Sequence, residues 1–173
     1  MHPASLPEDR LLTQCTVTTG RVAGPGGQHR NKVETHVEIR HEPSGLIGQA
    51  GERRSQIENK RVALKRLRLL LATAHREPVP RGEIGSPLWR SRLKPPTERG
   101  AGGRIACNPD HGDYPTLLAE ALDAIYAAGW DHTLAAVRLD VSPSQLVKLI
   151  KDHPPALAAL NAARAEAGLR RLQ

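Results

Sequence analysis

"VETHVEIRHEPSGLIGQAGERRSQIENKRVALKRLRLLLATA", residues 33–74, changes its periodicity half-way along. In its first part Val33, Thr35, Val37 and Ile39 alternate with Glu34, His36, Glu38 and Arg40. That period of two is the pattern of a strand with one buried face. Glu42-Pro43-Ser44-Gly45 predicts a turn, and residues 46–50 predict a short returning strand. From Ser55 the period lengthens. Ile57, Leu64, Leu67 and Leu71 fall on one face of a helix, and Ser55 and Glu58 stand three apart, the spacing of a capping box. A strand hairpin followed by one amphipathic helix buries both apolar faces only if the helix lies on the sheet. The expectation is a small antiparallel sheet with one covering amphipathic helix, an α+β domain.

Towards the N-terminus the pattern predicts one more strand near Cys15–Thr19, rich in β-branched residues, and a short helix or turn at Glu8–Leu12. Between this strand and the next lies "RVAGPGGQHRNK", residues 21–32. Glycine loses more conformational freedom on folding than any other residue, so Gly24, Gly26 and Gly27 need a reason. They mark either a hairpin turn or a loop whose backbone must touch something directly. A nucleotide-binding P-loop is excluded, because that motif needs Gly-Lys-Ser/Thr opening a helix. Here the glycines run into Gln-His-Arg-Asn-Lys and then a strand.

Towards the C-terminus, residues 76–113 carry Pro78, Pro80, Pro87, Pro95, Pro96 and Pro109 among glycines. This composition reads as a basic Pro/Gly-rich linker or arm with little regular structure. Trp89 within it is expected on the surface, and the segment serves either as a spacer or as an arm along RNA. Residues 114–173 read as four helices. The first ends at Gly129, the second is capped by Asp131, the third has Ser142 at the cap and Pro143 at its first position, and the fourth ends at Gly168. The second and third, joined at Leu139–Ser142, resemble a helix-turn-helix with Asp140 where glycine is usual. Three parts are therefore expected: 1–75, 76–113 and 114–173, the last a small all-α helix-turn-helix-like module.

Charge narrows the class of partner. The chain has a net charge of +7, which points to a polyanion. Residues 1–80 hold 13 Lys and Arg against 8 Asp and Glu, whereas residues 114–173 are balanced at 6 and 6. The polyanion contact thus belongs to the first half. Aromatic residues make up 2 % of the chain, too few for a sheet that stacks single-stranded bases. Cys15 and Cys107 match no metal-ligand spacing, so no metal and no cofactor are expected. No apolar run approaches the roughly 20 residues of a membrane span, and the start lacks the features of a targeting signal. A cytoplasmic monomer is expected.

The ordered set Gly26-Gly27-Gln28, Asn31-Lys32, Pro43-x-Gly45 and Arg54-Ser55-Gln56…Asn59-Lys60 resembles the catalytic domain of the class I peptide-chain release factors and the related ribosome-rescue hydrolases. The likeness runs from about Leu11 to Ala74. It implies hydrolysis of the ester between a nascent peptide and tRNA, inside the large ribosomal subunit, with 23S-type rRNA and peptidyl-tRNA as partners. On that resemblance Gly26, Gly27 and Gln28 are the catalytic residues. Arg21, His29, Arg30 and Lys32 hold the tip against phosphates, and Arg53, Arg54 and Lys60 anchor the helix start on rRNA. The codon-reading region and long helical arm of full-length factors do not fit in 173 residues, so codon-independent rescue of stalled ribosomes or of separated large subunits is expected. Whether a glutamine methyltransferase modifies Gln28, and whether a helper protein takes part, stays open. The competing reading is a DNA- or RNA-binding regulator acting through the helix-turn-helix-like module.

Overall fold

The computed structural model describes residues 1–21, 35–80, 85–96 and 102–173. The chain divides into two compact units, Pro3–Leu71 and Ala72–Gln173.

In the first unit a 3-10 turn at Pro3–Ser5 and helix α1, Glu8–Leu12, lead into strand β1, Cys15–Gly20. Strands β2, His36–His41, and β3, Ile47–Ala50, complete an antiparallel sheet of order β1-β2-β3. Helix α2, Gln56–Ala74, follows. The alternation in β2 is real: Val37, Ile39 and His41 are buried and Arg40 is exposed. The turn between β2 and β3 closes with Gly45 N–H donating to His41 O at 2.8 Å, and Gly45 has a φ of +68°. Few residues other than glycine adopt that conformation without strain.

A single position sets the distance between helix and sheet. A Cβ on Gly48 would lie 2.6 Å from the backbone nitrogen of Leu67 and closer still to the carbonyl of Ala63. With hydrogen alone there the helix comes close, and Ala63, Leu64, Leu67 and Leu71 of α2 are buried, as are Val37, Ile39 and Ala50 of the sheet. Ile57 shares their helical face in sequence, yet it is 68 % exposed. It lies six residues before Ala63, about 9 Å along the axis at the helical rise, past the part of α2 that meets Gly48. Two cations of α2 hold the unit together. Arg68 donates to Ala4 O and Leu6 O at 2.6 and 2.7 Å, and Arg66 pairs with Glu52.

The second unit contains helix α3, Pro87–Arg92, a two-residue strand pair β4, Leu93–Lys94, and β5, Arg104–Ile105, and four helices. These are α4, Tyr114–Ala127, α5, His132–Arg138, α6, Pro143–Lys151, and α7, Pro154–Glu166. The expected caps are in place. Asp131 Oδ1 accepts from Thr133 N–H and Leu134 N–H, Ser142 Oγ accepts from Gln145 N–H, and Gly129 and Gly168 have positive φ. Leu117, Leu118, Ile125, Leu139, Leu146 and Ile150 fill the core.

Trp89 corrects the sequence reading. It is 1 % exposed, and its indole N–H donates to Leu139 O at 2.9 Å. Ser86 caps the short helix that carries it, accepting from Trp89 N–H, and is itself held by Glu120. A six-residue helix is too short to show a period, and the acceptor of the indole lies fifty residues away.

Candidate functional site

Gly26, Gly27, Gln28, His29, Arg30 and Lys32 lie outside the described residues. The structure does describe the strands that flank them in sequence. β1 pairs with β2 from Cys15↔His41 to Gly20↔His36. The chain therefore leaves the sheet at Arg21 and returns at Thr35 on neighbouring antiparallel strands, at the open end of the β1–β2 pair. Arg21 is exposed.

Beside that open end sits a buried asparagine whose role the sequence reading missed. Asn59 is 0 % exposed. Its amide nitrogen donates to Thr35 O at 2.6 Å and to Arg53 O at 2.9 Å, and its amide oxygen accepts from Arg53 N–H at 3.0 Å. Two carbonyl acceptors on one side and one N–H donor on the other fix which amide atom is which. All four polar functions of this side chain are committed except one lone pair of the oxygen. Asn59 thus joins three segments: the returning base of the hairpin, the loop between β3 and α2, and the first turns of α2. Its polar type hides it from a pattern search, which assigns asparagine to the solvent face. The usable signal was its place in the Arg-Ser-Gln…Asn-Lys run.

The loop between β3 and α2 is held a second time by Glu52. Its carboxylate accepts from Gly51 N–H at 2.7 Å and from the Arg66 guanidinium, which also donates to Gln49 O. The backbone N–H groups of Gly51 and Glu52, with Arg66, pull the Glu52 carboxyl down to about 2. Ser55 Oγ accepts from Glu58 N–H, as the capping box requires. The outcome is a fixed loop that presents Arg53 and Arg54 to solvent, with Lys60 half-buried one turn into α2.

Arg53, Arg54, Lys60 and Arg61 form no ion pair with another described residue. Glu52 beside them is taken up by Arg66 and Gly51 N–H, and the four cations leave a net positive surface that suits phosphate. Among the described residues no group of His, Cys, Asp and Glu is able to hold a metal.

An RF-1 domain model matches residues 12–83, a span that takes in β1, the tip, Asn59 and all of α2. The chain is 43 % identical over 65 residues to peptide chain release factor 1 of Ureaplasma parvum serovar 3, covering 38 % of this chain and 18 % of that protein. It is 40 % identical over 85 residues to peptide chain release factor 2 of Staphylococcus aureus, covering 46 % and 23 %. To the mitochondrial peptide chain release factor 1-like protein of Mus musculus it is 41 % identical over 61 residues, covering 35 % and 16 %. The chain spans less than a quarter of the length of these relatives. Over residues 12–83 the chain thus matches the RF-1 domain and is similar to peptide-chain release factors.

Proposed function

We propose that this protein hydrolyses the peptidyl-tRNA ester within the large ribosomal subunit and does so without reading a codon. The observation that carries the reading is the RF-1 match, which includes the Gly26-Gly27-Gln28 tip and the strands that flank it in sequence. In the reaction, water adds to the ester carbonyl and the tetrahedral oxyanion collapses, expelling the ribose oxygen, which takes a proton. Donors set in place beforehand stabilise both oxygens. The backbone N–H of Gln28 is such a donor, provided Gly26 and Gly27 take a conformation closed to residues with a Cβ. The Gln28 side chain has no useful pKa, so it orients water and excludes larger nucleophiles rather than acting as a base.

Arg21, His29, Arg30 and Lys32 hold the tip on RNA phosphates in this reading, and Arg53, Arg54 and Lys60 anchor the start of α2. Independence from the codon is part of this reading; the matched span is residues 12–83, and Ala72–Gln173 form the helical second unit. Hydrolysis is assigned to residues 1–75 and target engagement to 76–113 and 114–173, in the cytoplasm.

The test is peptide release from purified ribosomes holding peptidyl-tRNA, with an empty A site or with a stop codon in it. Equal release in the two cases is expected. Gly27→Ala should abolish release while ribosome binding persists, and Gln28→Ala should do less harm, because the backbone donor survives. Release by Gly27→Ala at the wild-type rate refutes the backbone mechanism. Strong dependence on the stop codon refutes codon independence.

A further inference from the structure

The helix-turn-helix resemblance in the second unit is not used by the hydrolase reading, and the structure gives it a definite form. α5 and α6 are joined by a turn in which Asp140 has a φ of +55°, the left-handed position such turns need. Ser142 caps α6, and Pro143 begins it. The strand pair β4–β5 docks onto this turn. Gly103 N–H donates to Asp140 O at 3.1 Å, Ser142 N–H donates to Gly103 O at 2.9 Å, and Gly103 bridges Val141 in parallel. A Cβ on Gly102 would lie 2.8 Å from Ser142 N, and one on Gly103 2.6 Å from Lys94 O. Both glycines are needed for the strand to come so close.

This docking brings charge together. Lys94 and Arg104 are paired across β4–β5, one residue from the Gly103 contact with the start of α6. On α6 itself Ser144, Lys148 and Lys151 are exposed and follow one another at i, i+4 and i+7, a single stripe. Lys94, Arg104, Lys148 and Lys151 form no ion pair with a described residue. Four other cations of this unit are occupied: Arg76 by Asp123, Arg92 by Asp113, Arg138 by Pro80 O and Arg164 by Trp130 O, whereas Arg90, Arg170 and Arg171 are exposed. Beside the stripe lies an open groove of about 700 Å³, lined by His132, Ser144, Gln145, Lys148, Lys151 and Asp152 among others. Burial lowers the pKa of His132, which keeps it neutral at pH 7.

We propose that the stripe on α6, its groove and the β4–β5 cations form a second RNA-binding face, which grips the phosphate backbone and 2′-hydroxyls of an RNA helix. Four free cations are too few for a self-sufficient duplex binder, since proteins held mainly by phosphate contacts make roughly six to ten. They suffice for a face tethered to a domain already on RNA, because tethering raises its effective concentration to the order of millimolar. That argument rests on the RNA reading of the first unit, and it favours RNA over a separate DNA site. The lining agrees. Two lysines suit phosphates, and Ser144, Gln145 and His132 supply the neutral donors and acceptors that a 2′-hydroxyl can use and deoxyribose cannot.

The test uses the full chain with a duplex RNA of about 25 base pairs, the same duplex as DNA, and large ribosomal subunits, each titrated across salt. Each phosphate contact contributes roughly 0.9 to the slope of log affinity against log salt. Lys148→Ala/Lys151→Ala should lower the slope on RNA and on subunits by about 2, and adding Lys94→Ala/Arg104→Ala by about 2 more. Lys148→Arg/Lys151→Arg should keep it. RNA should bind more tightly than DNA. Unchanged slopes, weaker subunit binding at an unchanged slope (the mark of a protein partner), or a preference for DNA would each overturn the proposal. Peptide release by the wild type, measured in parallel, separates the two readings. Loss of the slope in the variants of a protein that releases no peptide sinks the hydrolase reading alone, and intact slopes in variants of an active one sink only the RNA face.

Discussion

Asn59 is the most exposed point of the positioning argument to experiment, since one side chain joins the base of the tip, the Arg53 loop and α2. Asn59→Ala removes three hydrogen bonds of 2.6 to 3.0 Å from a fully buried site. Each is worth about 1 kcal/mol net, so the loss is about 3 kcal/mol, and more if Thr35 O finds no water. For a unit of this size about 1 kcal/mol corresponds to a shift of roughly 4–8 °C. The melting transition of the first unit should therefore fall by 10 °C or more. Amide exchange at Arg53, whose N–H is held by the Asn59 oxygen, should accelerate beyond what the global loss explains. Asn59→Asp separates charge from size. It keeps the acceptor for Arg53 N–H and sets a carboxylate against two carbonyl oxygens, which favours the protonated form in the folded state. A carboxyl raised on folding stabilises while protonated, and that contribution is lost as pH rises through the folded pKa. Asn59→Asp should thus lie nearer to wild type at about pH 4.5 than at about pH 7.5. If Asn59→Ala melts within about 2 °C of wild type, or the aspartate variant shows no pH trend, the clamp is not what holds these segments together.

Two further perturbations test the packing on which the site depends. Gly48→Ala pushes a methyl group into the backbone of α2 at Ala63 and Leu67, so it should destabilise by about 1–3 kcal/mol or more in thermal or urea unfolding; a variant as stable as wild type would mean the helix does not rest there. In the second unit, burial raises the Asp123 carboxyl to about 6, against the opposing pull of Glu77 N–H and Arg76. Between about pH 4 and pH 6 the folded state then binds more protons than the unfolded one, so the stability this group contributes is lost as pH rises through that window. Asp123→Asn should lack this slope, and its melting temperature relative to wild type should change between pH 4 and 6 and level off above. A pH-independent difference would show that Arg76 keeps Asp123 ionised throughout.

The parts of this protein that were legible in its sequence are those whose cause is local. Ser55, Asp131 and Ser142 announce helix starts because a cap needs its hydroxyl or carboxylate two or three residues before the N–H it satisfies. Gly45 and Asp140 announce turns because a left-handed residue is demanded on the spot. Periodicity in β2 and α2 likewise identified the buried faces, but it could not say where along α2 the sheet ends, and so it placed Ile57 in the core. Trp89 and Asn59 were lost for the same reason. A tryptophan in a proline-rich stretch and an asparagine on a basic helix both look solvated, and each is buried because a backbone group far away in sequence accepts its hydrogen bond. Leu139 O and Thr35 O are invisible to composition, since every residue has a carbonyl and only the fold decides which one is within reach. What a pattern search loses first is therefore the polar residue with a distant backbone partner, and that is the class of residue that ties Thr35, the Arg53 loop and α2 together.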